Sequence, residues 1–179
     1  MKLVLVVSVA LAGSNFLAAQ AVPTDELERN KAAVRRHIER TNAGDVEGAV
    51  AGWAEREIRD HGTPVQGREF VRAALEDILA TFPDWQVEVL SLVAEADTVA
   101  ALCRVNGTHF GNGSLTSRRW GLPAGVVTGN RIDGVYQIQV YKLRKGMIVD
   151  WYTARDDVGM LRQLGLKLPL GSPFTQSPR

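Results

Sequence analysis

The stretch Gly146-Met147-Ile148-Val149-Asp150-Trp151-Tyr152, followed by Asp156-Asp157-Val158-Gly159-Met160-Leu161-Arg162-Gln163-Leu164-Gly165, decides how this chain is read. Lys145-Gly146 is a tight turn, Met147 to Ala154 reads as a strand, and Asp157 to Leu164 as a short closing helix. The strand therefore ends in a carboxylate beside an aromatic side chain. That pairing is a plausible acid/base group at the edge of an apolar interior.

Working back from this segment, Ile132 to Leu143 is a long strand, Thr98 to Phe110 another, and Gln86 to Ala94 alternates with Val87, Val89, Ser91 and Val93 on one side. Residues 111–130 are rich in Gly, Ser and Thr and read as a long loop. Upstream the period changes. Residues 24–43 form a helix with Thr24 as N-cap, acidic residues in its first turn and Leu27, Val34, Ile38 and Thr41 on one face. Asp45 caps a second short helix, Val46 to Ala54. Glu57 to His61 is a short extended piece. A third helix covers about 68–81 with a broad apolar face, and Pro83 ends it. Helices first and an antiparallel meander second predict an α+β domain with the helices on one face of a curved sheet.

The chain has 179 residues and a net charge of +1, with both signs mixed along its length. This balance points away from nucleic acid and from anionic membranes. Residues 1–21 resemble a secretory signal peptide: one positive charge, an apolar run from Leu3 to Ala12, and Ala19-Gln20-Ala21 as a cleavage site. A secreted or periplasmic location is the expectation. The remaining length suits one domain, residues 22–166, with a tail at 167–179. Cys103 is the only cysteine, so no intrachain disulfide forms, and its strand context predicts a buried apolar role. His37, His61 and His109 show no metal-ligand spacing, and no dinucleotide or phosphate-loop motif is present, so neither a metal nor a nucleotide cofactor is expected.

Regular alternation from Ile148 would carry Asp150, Tyr152, Ala154 and Asp156 to one face of the last strand. Asp156 is equally placed to cap the helix that starts at Asp157. His109 shares the apolar face of Val99, Ala101, Cys103 and Val105, so it points into a core or a cup. Gln137 and Gln139 share a face with Val135, Tyr141 and Leu143 and could orient a ligand carbonyl. Tyr136, Ile138 and Val140 are the more apolar set on that strand, which leaves its burial direction open. Phe82, Trp85 and Trp53 are candidate wall aromatics.

Four pieces in this order resemble the SnoaL-like polyketide cyclases (ester cyclases) of the NTF2-like superfamily. They are Asp60-His61 with Gly67 downstream, Phe82-Pro83-Asp84-Trp85, Gly107-Thr108-His109-Phe110-Gly111, and the closing segment with Tyr152 in the usual Trp place. The resemblance covers roughly residues 29–166. It implies a cone-shaped α+β barrel around a cup and a small-molecule substrate, with homodimers common among relatives. It also implies cofactor-free chemistry. Asp156 would be the general acid/base of an intramolecular aldol closure, with His109 and His61 supporting the developing oxyanion and Tyr152 among the substrate-binding residues. Asp156→Asn should then abolish turnover. The 112–130 segment, containing Arg118, Arg119 and Trp120, is longer than the family's usual turn. Two other readings use the same cup: a non-catalytic carrier of an apolar ligand, and a hydratase or epoxide-opening enzyme, which needs several carboxylates and a water-binding polar group in one pocket, Asp150 and Asp156 supplying part of that set.

Overall fold

The computed structural model describes residues 23–111, 113, 122–123 and 125–166. The expected leader, the tail, and Arg118, Arg119 and Trp120 lie outside the described residues. The elements are α1 (Thr24–Asn42), α2 (Val46–Val50), β1 (Arg59–Asp60), β2 (Thr63–Pro64), α3 (Gly67–Thr81), β3 (Gln86–Glu95), β4 (Thr98–Thr108), β5 (Arg131–Arg144), β6 (Met147–Arg155) and α4 (Asp157–Gln163). β3 to β6 form a four-stranded antiparallel meander in sequence order, and β1 and β2 form a separate hairpin. The N-terminal helices pack on the sheet's inner face, where α1 reaches β3, β4 and β6.

Helix ends follow local chemistry. Asp45 caps α2, its Oδ1 accepting the Gly48 N–H at 2.9 Å. Thr24 does not cap α1: the cap position falls on Pro23, and Thr24 is already helical, with no side-chain cap bond. The second helix is shorter than expected, ending at Val50. Beyond it the backbone pairs with β6, Ala54 N–H donating to the Ile148 carbonyl at 2.9 Å and Ile148 N–H to the Gly52 carbonyl at 3.0 Å.

The sheet is not regular, and this matters more than any helix end. Bulges interrupt the ladders between Val89 and Ser91 on β3, opposite Val105 and Gly107 of β4, and opposite Lys142 and Leu143 of β5. At the last of these, Leu143 pairs with Ile148 but Lys142 pairs with Asp150, so Val149 is the extra residue. A bulge bends and twists its strand. It also shifts the side-chain phase by one, and with a period of two that exchanges the faces. On β3 the expected row Val87, Val89, Ser91, Val93 therefore breaks. Leu92 and Ala94 pack toward the core instead, and Val93 is 64% exposed. On β5 the open question of direction is answered: Val135, Gln137, Gln139, Tyr141 and Leu143 are buried, while Tyr136 and Ile138 are exposed on the outer face.

Two of the sequence motifs turn out to be one contact. Asp84 accepts the Thr108 N–H at 2.6 Å and the Thr108 hydroxyl at 2.8 Å, and pairs with Arg131 at 2.9 Å. A Cβ on Gly107 would sit 3.2 Å from the Phe82 side chain. The His109 ring stacks on Phe82 with centroids 5.3 Å apart. Phe-Pro-Asp-Trp and Gly-Thr-His thus lock the start of β3 to the end of β4. Gly111 closes the same joint, because a Cβ there would lie 1.6 Å from the Ala80 carbonyl oxygen. No rotamer relieves a backbone clash of that kind. Gly111→Ala is expected to lower unfolding free energy by at least about 2 kcal/mol in urea titrations.

Candidate active site

A cavity of about 550 Å³ lies between the inner sheet face and the helices, lined from α1, α3, the β1–β2 hairpin, β3, β5 and β6. Its size is that of an ordinary small-molecule site. The β6 wall is Trp151, Thr153 and Arg155, continued by Asp157. These are the residues that the Val149 bulge turns inward. Unbroken alternation from Ile148 would have presented the even-numbered set.

This phase change corrects the central expectation. Asp156 is exposed and does not line the cavity. It is the N-cap of α4, Oδ1 accepting the Gly159 N–H at 2.8 Å. Tyr152 faces the shallow outer cleft near Arg59 and Asp150, and its hydroxyl, bonded to the Asp150 carboxylate, is held above the usual phenol range. Asp150 is buried away from the main cavity, accepting the Trp151 N–H at 2.8 Å and the Gly62 N–H at 3.3 Å. The two carboxylates do not meet in one pocket, as a paired-carboxylate hydratase site requires.

His109, Phe82 and Trp53 are core residues rather than cavity wall, all fully buried. The His109 Nδ1 is bonded to the Thr128 hydroxyl at 3.1 Å, and burial lowers its pKa. The Trp53 ring meets the His37 ring edge-on, with centroids 5.6 Å apart. Cys103 is buried, and desolvation pushes its thiol up to about 11, which keeps it unreactive.

The residues that the fold brings together are His61, Gln137, Gln139 and Trp85 from the expected set, joined by Asp60, Arg155, Tyr141 and His37. Asp60 and His61 are placed by a tight hairpin. Asp60 pairs with Thr63, and the two residues between, His61 and Gly62, both have positive φ (52° and 78°). That is the type I′ pattern, for which X-Gly is the sequence signal, and His tolerates the left-handed region better than most residues. The turn holds the His61 ring against the open edge of β6. The Thr153 N–H donates to Nε2 at 3.1 Å, which leaves the ring proton on Nδ1, facing Asp60 Oδ1 at 2.8 Å. Asp60 is only 8% exposed. The sequestered carboxylate beside an imidazole is therefore Asp60 with His61.

Deeper in the cavity, the Tyr141 hydroxyl donates to Gln139 Oε1 at 2.7 Å. Arg155 is paired with Asp157 at 2.7 Å, the arginine side chain 5% exposed and the aspartate 50%. His37 is reached from α1. It falls three residues after Val34 and four before Thr41, so helical spacing alone would have put it on the inward face. Asp60 and Arg155 were hidden for different reasons: one depends on a two-residue hairpin, the other on a bulge.

A sequence model of the SnoaL-like polyketide cyclase family matches residues 31–164. The chain belongs to this family. Solved structures agree on its α+β fold of helices on an antiparallel sheet. AclR of Streptomyces galilaeus, a putative hydroxylase, shares 26% identity over 78% of this chain and 86% of its own, with a TM-score of 0.61. IdmH of Streptomyces antibioticus, a putative polyketide cyclase, shares 26% identity over 76% of this chain and 99% of its own, with a TM-score of 0.59. A putative SnoaL-like polyketide cyclase from Jannaschia is 18% identical with a TM-score of 0.65 over 82% of this chain and 98% of its own, a likeness of fold. No curated protein sequence matches the chain.

Two outcomes are expected. Asp156→Ala should cost about 1 kcal/mol of stability, and Asp156→Asn much less, because Asn caps as well as Asp. Neither change should alter turnover or ligand binding measured under folding conditions. His37 is held neutral by burial, which lowers its pKa from 6.5 to about 4 against the opposing hydrogen bond to the Ala49 carbonyl. Between those values the unfolded chain carries a proton that the folded chain lacks. Stability should therefore fall as pH drops through this window, by up to about 3 kcal/mol from this group. Urea titrations near neutral pH and near pH 4 should show a smaller difference for His37→Gln than for the wild type.

Proposed function

We propose that the chain is a small-molecule enzyme that removes a proton α to a carbonyl and lets the resulting enolate close on a second carbonyl of the same molecule. This is the intramolecular aldol chemistry of a polyketide-like substrate. The observation that carries the proposal is the 2.8 Å contact between His61 Nδ1 and the buried Asp60 carboxylate on the cavity wall.

Asp60 is the proton acceptor in this reading. His61 donates to it from Nδ1 and is fixed from behind by the Thr153 N–H, so the carboxylate is oriented before a ligand arrives. The proton removed from carbon passes to the free oxygen of the Asp60 carboxylate, which returns it to the alkoxide formed on ring closure, while the His61 Nδ1–H holds the other oxygen in place. Folding the substrate inside the cavity lowers the entropic barrier to ring closure, which in favourable cases contributes about 7–11 kcal/mol. The family membership supports the class of reaction. Asp60 takes the role that the resemblance had assigned to Asp156.

The test is incubation of the purified protein with a panel of aromatic poly-β-keto esters, followed by chromatography and mass spectrometry. Ring closure gives an isomer of equal mass with a shifted retention time. Asp60→Asn should lower its rate by about 10²–10⁴-fold, and His61→Gln by less. Recovery of the compounds bound but unchanged by wild-type protein would refute catalysis and leave a carrier of apolar ligands.

A further inference from the structure

Gln137 and Arg155 stand opposite each other on β5 and β6 as register partners. Both side chains face the cavity. At that register their side chains are neighbours on one sheet face, with Cβ atoms about 5 Å apart. Gln137 is 3% exposed, yet its Nε2 has no hydrogen-bond partner among the described residues. Burying an amide N–H₂ without a partner is unfavourable, so such a group calls for an explanation. Its neighbour two residues along is different: the Gln139 carbonyl oxygen accepts the Tyr141 hydroxyl at 2.7 Å. The two amides, equivalent in the sequence, are thus not equivalent in the fold.

Arg155 supplies the second half. Its guanidinium is almost fully buried, while the carboxylate that balances it, Asp157, is half exposed at 50%. Water screens the anion more than the cation, so the positive potential persists on the cavity side. A donor without a partner and a desolvated cation side by side form a place for an oxygen that carries negative charge.

We propose that Gln137 Nε2 and the Arg155 guanidinium form an oxyanion subsite that selects ligands presenting an enolate or enolisable carbonyl oxygen to this wall. The subsite deepens the reading of the cavity as the ligand site, because it states which oxygen is held. It does not require Asp60 to act as a base. The remaining charges in the cavity set its selectivity. Asp60 and Asp157 already contribute two carboxylates against one arginine, and His37 is neutral. Charge spread over a conjugated enolate is therefore better suited to the subsite than a concentrated carboxylate.

Two flat compounds of one skeleton test it. 2-Hydroxy-1,4-naphthoquinone, a vinylogous carboxylic acid, is already a coloured enolate at neutral pH, and 2-methoxy-1,4-naphthoquinone cannot ionise. Titration of the whole chain, followed by visible absorption and tryptophan quenching, should show the enolate bound at least about tenfold more tightly, or about 1.4 kcal/mol. Gln137→Leu should weaken the preference at least about threefold, the part that remains being due to Arg155. Gln137→Glu, which sets a carboxylate beside Arg155, should reverse it. Near-UV circular dichroism establishes that each variant is folded.

A wild-type protein that binds neither compound, or both alike, overturns the inference, as does a folded Gln137→Leu variant with its preference intact. Asp60→Asn should keep the enolate preference. Loss of turnover in that variant with binding retained supports both readings. Full turnover with binding still dependent on Gln137 removes the proposed catalytic role and leaves the subsite standing.

Discussion

One extra residue, Val149, sets the chemistry of the cavity. Side chains alternate strictly along a strand, so a single inserted position exchanges the inner and outer sets for everything beyond it. Ile148 points inward with Leu143 as its partner; after the bulge Trp151, Thr153 and Arg155 point inward with Tyr141, Gln139 and Gln137 as theirs. The bulge on β3, and the one on β5 opposite Val105 and Gly107, act in the same way and add curvature. A flat sheet would pack against α1 and α3 without a hollow. A bent one leaves space, and the phase of each strand decides what fills its walls.

The residues that make the family recognisable are, for the most part, not those that line the hollow. Asp84, Gly107, Thr108, His109 and Phe82 join two strands and an incoming helix through hydrogen bonds and a ring stack. Their spacing is specific because a backbone junction tolerates few alternatives: Gly107 must leave room for Phe82, and Gly111 for Ala80. Such constraints are geometric and independent of the ligand. They preserve a scaffold on which cavity residues are free to differ.

The cavity wall separates charge. The hairpin side carries Asp60 with its imidazole, and the β5–β6 side carries Arg155 and the amide of Gln137. Tyr141, Trp151 and His37 line the same cavity, and desolvation lowers the His37 pKa, so that this imidazole adds no charge. In an apolar enclosure such an arrangement acts strongly, because little water is present to screen it.

Hydropathy period, caps and turn residues in the chain alone determine most of the elements: α1, α3, the meander and the Lys145-Gly146 turn can be read directly, because each reflects interactions within a few residues. The motifs determine the family for a related reason, since a strand junction is encoded by residues at fixed places. The inward set on β6 and the second half of β3 was not readable. A bulge leaves no composition signal at Val149, and its location is decided by which partners β5 and β6 offer each other. His61-Gly62 did carry a hairpin signal in its X-Gly turn, but only packing against β6 shows that Asp60 is thereby buried beside an imidazole. The opposite fates of Asp156 and Asp60 follow from that difference. A helix cap is local chemistry, legible either way, whereas burial of a carboxylate is a property of the surfaces that close over it.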